Sequence, residues 1–95
     1  MQETLVKITG QVQGVFFRRS CQDLAQQLGV NGWVKNCSDG SVEALFQCPG
    51  VILNQMLTWI QQGPVHAKVE NVRILSQKDC TNPSEGFNII YEETL

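Results

Sequence analysis

Two glycines and an arginine within residues 8–18, Ile-Thr-Gly-Gln-Val-Gln-Gly-Val-Phe-Phe-Arg, are spaced so that they could bind an anion. Gly10 and Gly14 end an alternating strand pattern, and glycine lets the backbone turn tightly and approach a ligand. Arg18 falls at the start of a helical pattern, where free N–H groups and the helix dipole favour a bound phosphate. Its guanidinium adds a planar fork of donors that suits phosphate oxygens. The segment therefore predicts a phosphate site.

Other routes to phosphate chemistry are missing from the sequence. No cysteine lies six positions before an arginine, so the loop of cysteine phosphatases is absent, and so is the GxxxxGK[ST] pattern of nucleotide-binding loops. The single histidine, His66, lies beside Pro64, where we expect a surface loop. The carboxylates form no evident metal cluster. We therefore expect no metal ion and no cofactor, and a site that works through the glycine loop, Arg18 and neutral polar groups.

The four cysteines, Cys21, Cys37, Cys48 and Cys80, form no CxxC pair. With one histidine in the chain, a zinc site is not expected. An even number of cysteines permits disulfide bonds, but no secretory signal opens the chain. We therefore expect thiols that serve packing or lie at the surface.

A second segment, residues 32–42, supports the prediction of a phosphate site. Its sequence is Gly-Trp-Val-Lys-Asn-Cys-Ser-Asp-Gly-Ser-Val. With residues 10–18 it resembles the paired signatures of the acylphosphatase family, G-x-V-Q-G-V-x-F-R and G-[FYW]-[AV]-[KRQ]-N-x-x-x-G-x-V. The resemblance extends over nearly the whole chain, from about Leu5 to Tyr91, and is weakest in the last third.

The resemblance implies roles for particular residues. In acylphosphatases the arginine that ends the first motif binds phosphate, which implies that role for Arg18. The asparagine of the second motif orients the attacking water, which implies that role for Asn36. Backbone amides of the glycine loop complete the phosphate site, and here they belong to Gln13, Gly14, Val15, Phe16, Phe17 and Arg18.

An acyl phosphate suits a site of this composition. Its leaving group is a carboxylate, which is stable as an anion above about pH 4 and needs no general acid to depart. Phosphoryl transfer depends mainly on positioning and on stabilising charge on the equatorial oxygens, which an arginine and backbone donors can supply. We expect hydrolysis of a small acyl phosphate to a carboxylate and inorganic phosphate, with phosphate also acting as an inhibitor.

The elements that must position these residues follow from apolar periodicity. Strands are predicted at residues 5–12, 30–36, 41–47, 67–76 and 87–91, with a bulge between Val69 and Val72. Two amphipathic helices are predicted at residues 17–28 and 52–60, and Gly29 suits the left-handed cap of the first. Residues 38–40 form a turn that makes a hairpin of the second and third strands. Trp33 and Trp59 are expected in the core.

The order βαββαβ with a short final strand predicts an α+β, ferredoxin-like split βαβ fold, with two helices on one face of an antiparallel sheet. The expected strand order of the first four strands is 4-1-3-2, and the last strand cannot be placed from the sequence. The chain has 95 residues, which suits one domain, residues 1–95.

Composition excludes several other classes of protein. The net charge of −2 shows no basic excess for nucleic acid, and no apolar run approaches the roughly 20 residues of a membrane helix. We therefore expect a cytoplasmic monomer. Two alternatives remain open: a non-catalytic domain that binds carbamoyl phosphate or another anion, and an RNA-recognition module with the same βαββαβ layout. The second needs aromatic residues on the central strands, and the third strand carries only Phe46.

Overall fold

The computed structural model describes residues 1–91 and contains the predicted elements in the predicted order. Their bounds are β1 Gln2–Gln11, α1 Phe17–Leu28, β2 Asn31–Asn36, β3 Val42–Cys48, α2 Gly50–Ile60, β4 Lys68–Asp79 and β5 Phe87–Ile90. Strand β4 extends beyond its predicted end at Ser76, because its polar last residues pair with the start of β1, where Gln77 lies opposite Thr4 and Asp79 opposite Gln2. Backbone pairing thus overrides the loop-like composition of this segment.

The strands form one sheet in the order β4-β1-β3-β2-β5, which confirms the order 4-1-3-2 for the first four. These four strands pair antiparallel, whereas β5 pairs parallel to β2, so the sheet is mixed. The path of the chain explains this. After β4 it crosses the end of the sheet, where the Cys80 amide donates to the Met1 carbonyl and the Ser84 amide to the Gln47 side chain. It therefore enters β5 in the direction opposite to β4 and parallel to β2.

The predicted bulge is present: Thr9 pairs with Asn71 and Gly10 with Val69, so that Glu70 has no partner on β1. A second irregularity, which the sequence did not predict, leaves Leu75 without a partner.

One face of the sheet and both helices enclose the core. Buried side chains come from alternate positions of β1 and β3, and from one stripe of each helix; they include Val6, Ile8, Ala44, Phe46, Phe17, Cys21, Met56 and Ile60. Trp59 packs against this core as predicted, with its ring centroid 5.3 Å from that of Phe17. The core prediction for Trp33 is wrong. Its neighbours Gly32 and Val34 face the helices, so Trp33 is half-buried on the opposite face, with the Lys35 ammonium 5.3 Å from its ring centroid.

Gly32 joins the final strand to the rest of the sheet. It lies between Phe46 of β3 and Phe87 of β5 in the pairing register, and their rings meet beside it with centroids 5.9 Å apart. The φ angle of Gly32 is 134°, and a Cβ atom there would overlap the carbonyl oxygen of Leu45. Only glycine fits this position, because a side chain would meet rigid backbone.

Gly32→Ala should therefore destabilise the fold by on the order of 3 kcal/mol, since it combines a strained φ with a backbone overlap. The measurement is urea unfolding followed by circular dichroism. Gly29→Ala is the matched control: Gly29 has φ 73° with open space around its Cβ position, so only the backbone penalty of about 1 kcal/mol should appear. Equal losses of unfolding free energy in the two variants would contradict the claim that a Cβ at residue 32 overlaps the Leu45 carbonyl oxygen.

Within residues 1–91, no helix is long and apolar enough to cross a membrane.

Candidate active site

Three strand ends meet at one end of the sheet. β1 ends at Gln11 and leads into the loop before α1; β2, which runs parallel to β1, ends at Asn36; and β5, parallel to β2, ends at Ile90. A cavity of about 260 Å³ opens at this end. Residues that follow β1, the last residue of β2 and residues at the end of β5 line it, so residues far apart in the sequence share one pocket.

The loop before α1 forms part of the lining of this cavity. Gly14 has φ 74°, and Phe16, at the N-terminus of α1, has φ 63°, the left-handed region that few side chains adopt. No side chain caps the helix, and its first turn has no acidic residue. In the part of the chain that the structure describes, no acceptor is bonded to the backbone N–H groups of residues 14–19. These donors and the helix dipole suit an anion.

Most of the predicted loop residues line the cavity: Gly14, Phe16, Phe17 and Arg18 do, and Gln13 and Val15 do not. The ring of Phe17 is buried in the core, whereas that of Phe16 is 78% exposed at the rim. The loop is therefore anchored to the core by the Phe17 ring, and the Phe16 ring is left exposed.

Arg18 lines the cavity and forms no ion pair with any carboxylate of residues 1–91. It is half-buried, and its Cζ lies 5.2 Å from the ring centroid of Tyr91. The next residue, Arg19, also lines the cavity, but its exposed guanidinium pairs with Asp23 at 3.3 Å. Arg18 is thus the arginine whose donors remain for a ligand.

Asn36 lies at the end of β2 and lines the same cavity. Its Oδ1 atom is buried and has no hydrogen-bond partner, the one such side-chain atom among the residues described. Burying a polar atom without a partner costs about 1–3 kcal/mol, so a polar partner for this side chain would stabilise the site. The structure therefore brings Arg18 and Asn36, the two predicted catalytic residues, to one cavity.

Gln13 links the glycine loop to the β2–β3 hairpin through its side chain. Its Nε2 donates to the carbonyl oxygens of Cys37 and Ser41, both at 2.8 Å. Because Cys37 follows Asn36 directly, this amide fixes the distance between the loop and Asn36. The sequence predicted a role for the Gln13 backbone, and the hydrogen bonds of the side chain were missed because the motif does not show which backbone groups meet in space.

Gln13→Ala should lower kcat of the acyl phosphate hydrolysis expected from the sequence by about tenfold or more, because small displacements of catalytic groups have large effects on rate. The matched control is Gln77→Ala. The Gln77 amide also makes two hydrogen bonds, to Gln2 and Thr4, but at the opposite end of the sheet. Both variants should be folded by circular dichroism. A Gln13→Ala protein as active as Gln77→Ala would show that the link does not position the site.

The turn after Asn36 is fixed by Asp39. Its carboxylate accepts hydrogen bonds from Lys7 Nζ at 2.7 Å, from the Ser41 amide at 3.0 Å and from the Ser41 hydroxyl. The hydrogen bond from Lys7, with those from Ser41, holds the pKa of the Asp39 carboxyl well below its usual range. These three hydrogen bonds hold the hairpin turn beside Asn36.

The cysteines and His66 do not add a catalytic group to the cavity lining. Cys21 and Cys48 are buried, and burial raises the pKa of both thiols, which makes them poor nucleophiles. Across residues 1–91, no three His, Cys, Asp or Glu side chains are grouped as metal ligands.

The sequence missed Ile89 and Tyr91, which also line the cavity. Both belong to β5 or follow it, and the position of that strand could not be deduced. Once β5 is known to lie parallel to β2, its end must lie beside Asn36.

The glycine loop, Arg18 and Asn36 thus line one cavity on a split βαβ domain. Comparison with known proteins gives the family. A sequence model of the acylphosphatase family matches residues 5–89, and the chain belongs to that family.

Relatives and a solved structure agree with this assignment. The chain is 43% identical to an acylphosphatase of Roseiflexus sp. (strain RS-1), covering 96% of this chain and 97% of the relative. It is 40% identical to an acylphosphatase of Rubrobacter xylanophilus, covering 88% and 76%. The crystal structure of acylphosphatase from Bacillus subtilis matches with a TM-score of 0.90 and 31% identity, covering 96% of this chain and all of that one.

Proposed function

We propose that Arg18, Asn36 and the backbone amides of residues 13–18 carry out the hydrolysis of acyl phosphates that belongs to this family. The observation that carries the proposal is that Asn36, whose Oδ1 has no hydrogen-bond partner among the residues described, lines the same cavity as Arg18. A site that bound phosphate without hydrolysing it would need only hydrogen-bond donors. The additional acceptor suits a water molecule, which can donate to it.

The phosphate group binds to the amides of the loop and to Arg18. All of these are donors, and the phosphate oxygens are acceptors, so every contact is complementary. In the transition state, negative charge spreads over the equatorial oxygens, and the same fixed donors stabilise it. The positive end of the α1 helix dipole also stabilises this negative charge.

Asn36 holds the attacking water. Its Oδ1 accepts a hydrogen bond from the water, whose oxygen lone pair then points to phosphorus. The water oxygen forms a bond to phosphorus as the bond from phosphorus to the acyl oxygen breaks. The electron pair of that bond leaves on the carboxylate, and the proton of the water passes to solvent or to the phosphate. A neutral amide suits this role because a carboxylate would repel the anionic substrate.

A non-catalytic domain that binds carbamoyl phosphate or another anion is the second candidate function. The loop and Arg18 support it equally well, because both bind the phosphate group. The unpartnered Asn36 oxygen favours hydrolysis, since the ionised phosphate oxygens offer it no donor and a water molecule beside them does.

The experiment is turnover of acetyl, carbamoyl and benzoyl phosphate, with p-nitrophenyl phosphate as the control. The acyl phosphates should be hydrolysed and the ester should not, because a phenolate is a poorer leaving group than a carboxylate. Inorganic phosphate should inhibit competitively, and a chelator should leave the rate unchanged. Tight phosphate binding without turnover would favour the non-catalytic domain, and a rate that needed added metal would contradict the proposed mechanism.

A further inference from the structure

The parallel pairing of β5 carries an aromatic ring to Arg18. In the register, Lys35 pairs with Ile90, so the next residue along each strand is Asn36 on β2 and Tyr91 after β5. Ile89 packs against the core, and alternation places Tyr91 on that same side of the sheet, where α1 begins. The Tyr91 ring centroid lies 5.2 Å from Arg18 Cζ, within the range of a cation–π contact.

Packing in the core does not account for this ring. Tyr91 is 78% exposed, whereas Phe87 of the same strand is buried. No hydrogen bond of Tyr91 is found within residues 1–91. Its contact with Arg18 and its place in the cavity lining are therefore the main structural reasons for an aromatic residue at this position.

Arg18 needs an orienting group. An arginine side chain has several rotatable bonds, and Arg18 has no carboxylate among residues 1–91 to hold its guanidinium. A carboxylate would orient the guanidinium but would also occupy its donors and repel phosphate. An aromatic face attracts the cation through its quadrupole and leaves all five N–H groups for the ligand.

We infer that Tyr91 is a positioning residue: its ring holds the Arg18 guanidinium in the orientation that binds the phosphate group. The inference rests on the proposed function, because it assigns Tyr91 to the same site. On this inference, the face of the Tyr91 ring is required for the positioning of Arg18, and the Tyr91 hydroxyl is not.

The test compares Tyr91→Leu, which keeps apolar bulk but removes the ring, with Tyr91→Phe, which keeps the ring. Tyr91→Leu should lower kcat and weaken binding of inorganic phosphate, each by about two- to fivefold, in line with an exposed cation–π contact. Tyr91→Phe should recover most of both losses. The control is Val65→Ala, which removes an exposed apolar side chain that does not line the cavity.

A direct readout is the Nε–Hε resonance of Arg18 in ¹H–¹⁵N spectra. The ring current should shift this proton in wild type and Tyr91→Phe, and the shift should disappear in Tyr91→Leu while the core resonances stay in place. A Tyr91→Leu protein with wild-type phosphate binding and an unmoved Arg18 resonance would overturn the inference, and so would Tyr91→Phe being as impaired as Tyr91→Leu.

The two proposals fail separately. If the wild-type protein hydrolyses no acyl phosphate, the proposed function is rejected, but phosphate affinity and the Arg18 resonance still decide the role of Tyr91. If the wild-type protein hydrolyses acyl phosphates, and Tyr91→Leu changes neither the phosphate affinity nor the Arg18 resonance, only the role of Tyr91 is rejected.

Discussion

Arg18→Ala should lower the kcat/KM for an acyl phosphate by about 10³- to 10⁵-fold, as expected when an arginine that stabilises transition-state charge is removed. Arg18 is the cavity arginine without an ionic partner in residues 1–91, whereas the neighbouring Arg19 is paired with Asp23 and is not expected to replace its donors. Inhibition by inorganic phosphate should weaken in parallel, because the guanidinium also binds the ground state. The measurements are steady-state hydrolysis and phosphate inhibition, with circular dichroism to show that the variant is folded.

Arg18→Lys and Arg19→Ala make this prediction specific. Lysine keeps the charge but cannot form the bidentate fork, so Arg18→Lys should recover little activity. Arg19→Ala should lose less than about tenfold, because the exposed Arg19 is paired with Asp23. Near-wild-type activity in Arg18→Lys would show that charge alone matters, and a larger loss in Arg19→Ala than in Arg18→Ala would assign the phosphate to the other arginine.

Asn36→Ala should lower kcat by about 10²-fold or more, the range for removing one group that hydrogen-bonds in the transition state. The reason is that the proposed mechanism uses Asn36 to orient the attacking water and gives it little part in phosphate binding. Inhibition by phosphate should therefore change far less than in Arg18→Ala. This difference between the two variants separates the orientation of water from the binding of phosphate.

Asn88→Ala is the matched control for Asn36→Ala. Asn88 lies on the neighbouring strand β5, is exposed, and donates to the carbonyl of Glu85 outside the cavity. Its removal should leave kcat unchanged. Both asparagine variants should be folded, since one amide contributes only about a kcal/mol of hydrogen bonding. A folded Asn36→Ala protein with the kcat of Asn88→Ala would remove Asn36 from the mechanism.

The sequence predicts the part of the fold that local patterns encode. Alternation around Val6 and Ile8, the helical stripe of Phe17 and Cys21, and the turn at Asp39 each specify an element directly. The order of the first four strands follows from the split βαβ rule. For the site, the two motifs were enough to predict Arg18 and Asn36 as catalytic residues.

The remaining features depend on contacts between distant residues. The position of β5 depends on Phe87 meeting Phe46 across Gly32, a contact between three strands that no local pattern shows. The place of Tyr91 beside Arg18 follows from that strand and was missed with it. The core prediction for Trp33 fails because the alternation of its own strand places its side chain on the other face of the sheet.

The measurement that tests the central claim most directly is hydrolysis of benzoyl phosphate in H₂¹⁸O, with the label located by mass spectrometry of both products. If water held by Asn36 attacks phosphorus in the site formed by Arg18 and the loop, every turnover places one ¹⁸O atom in inorganic phosphate and none in benzoate. Label in benzoate would show that water attacks the carbonyl carbon, and the mechanism built on phosphate binding at Arg18 would then be wrong.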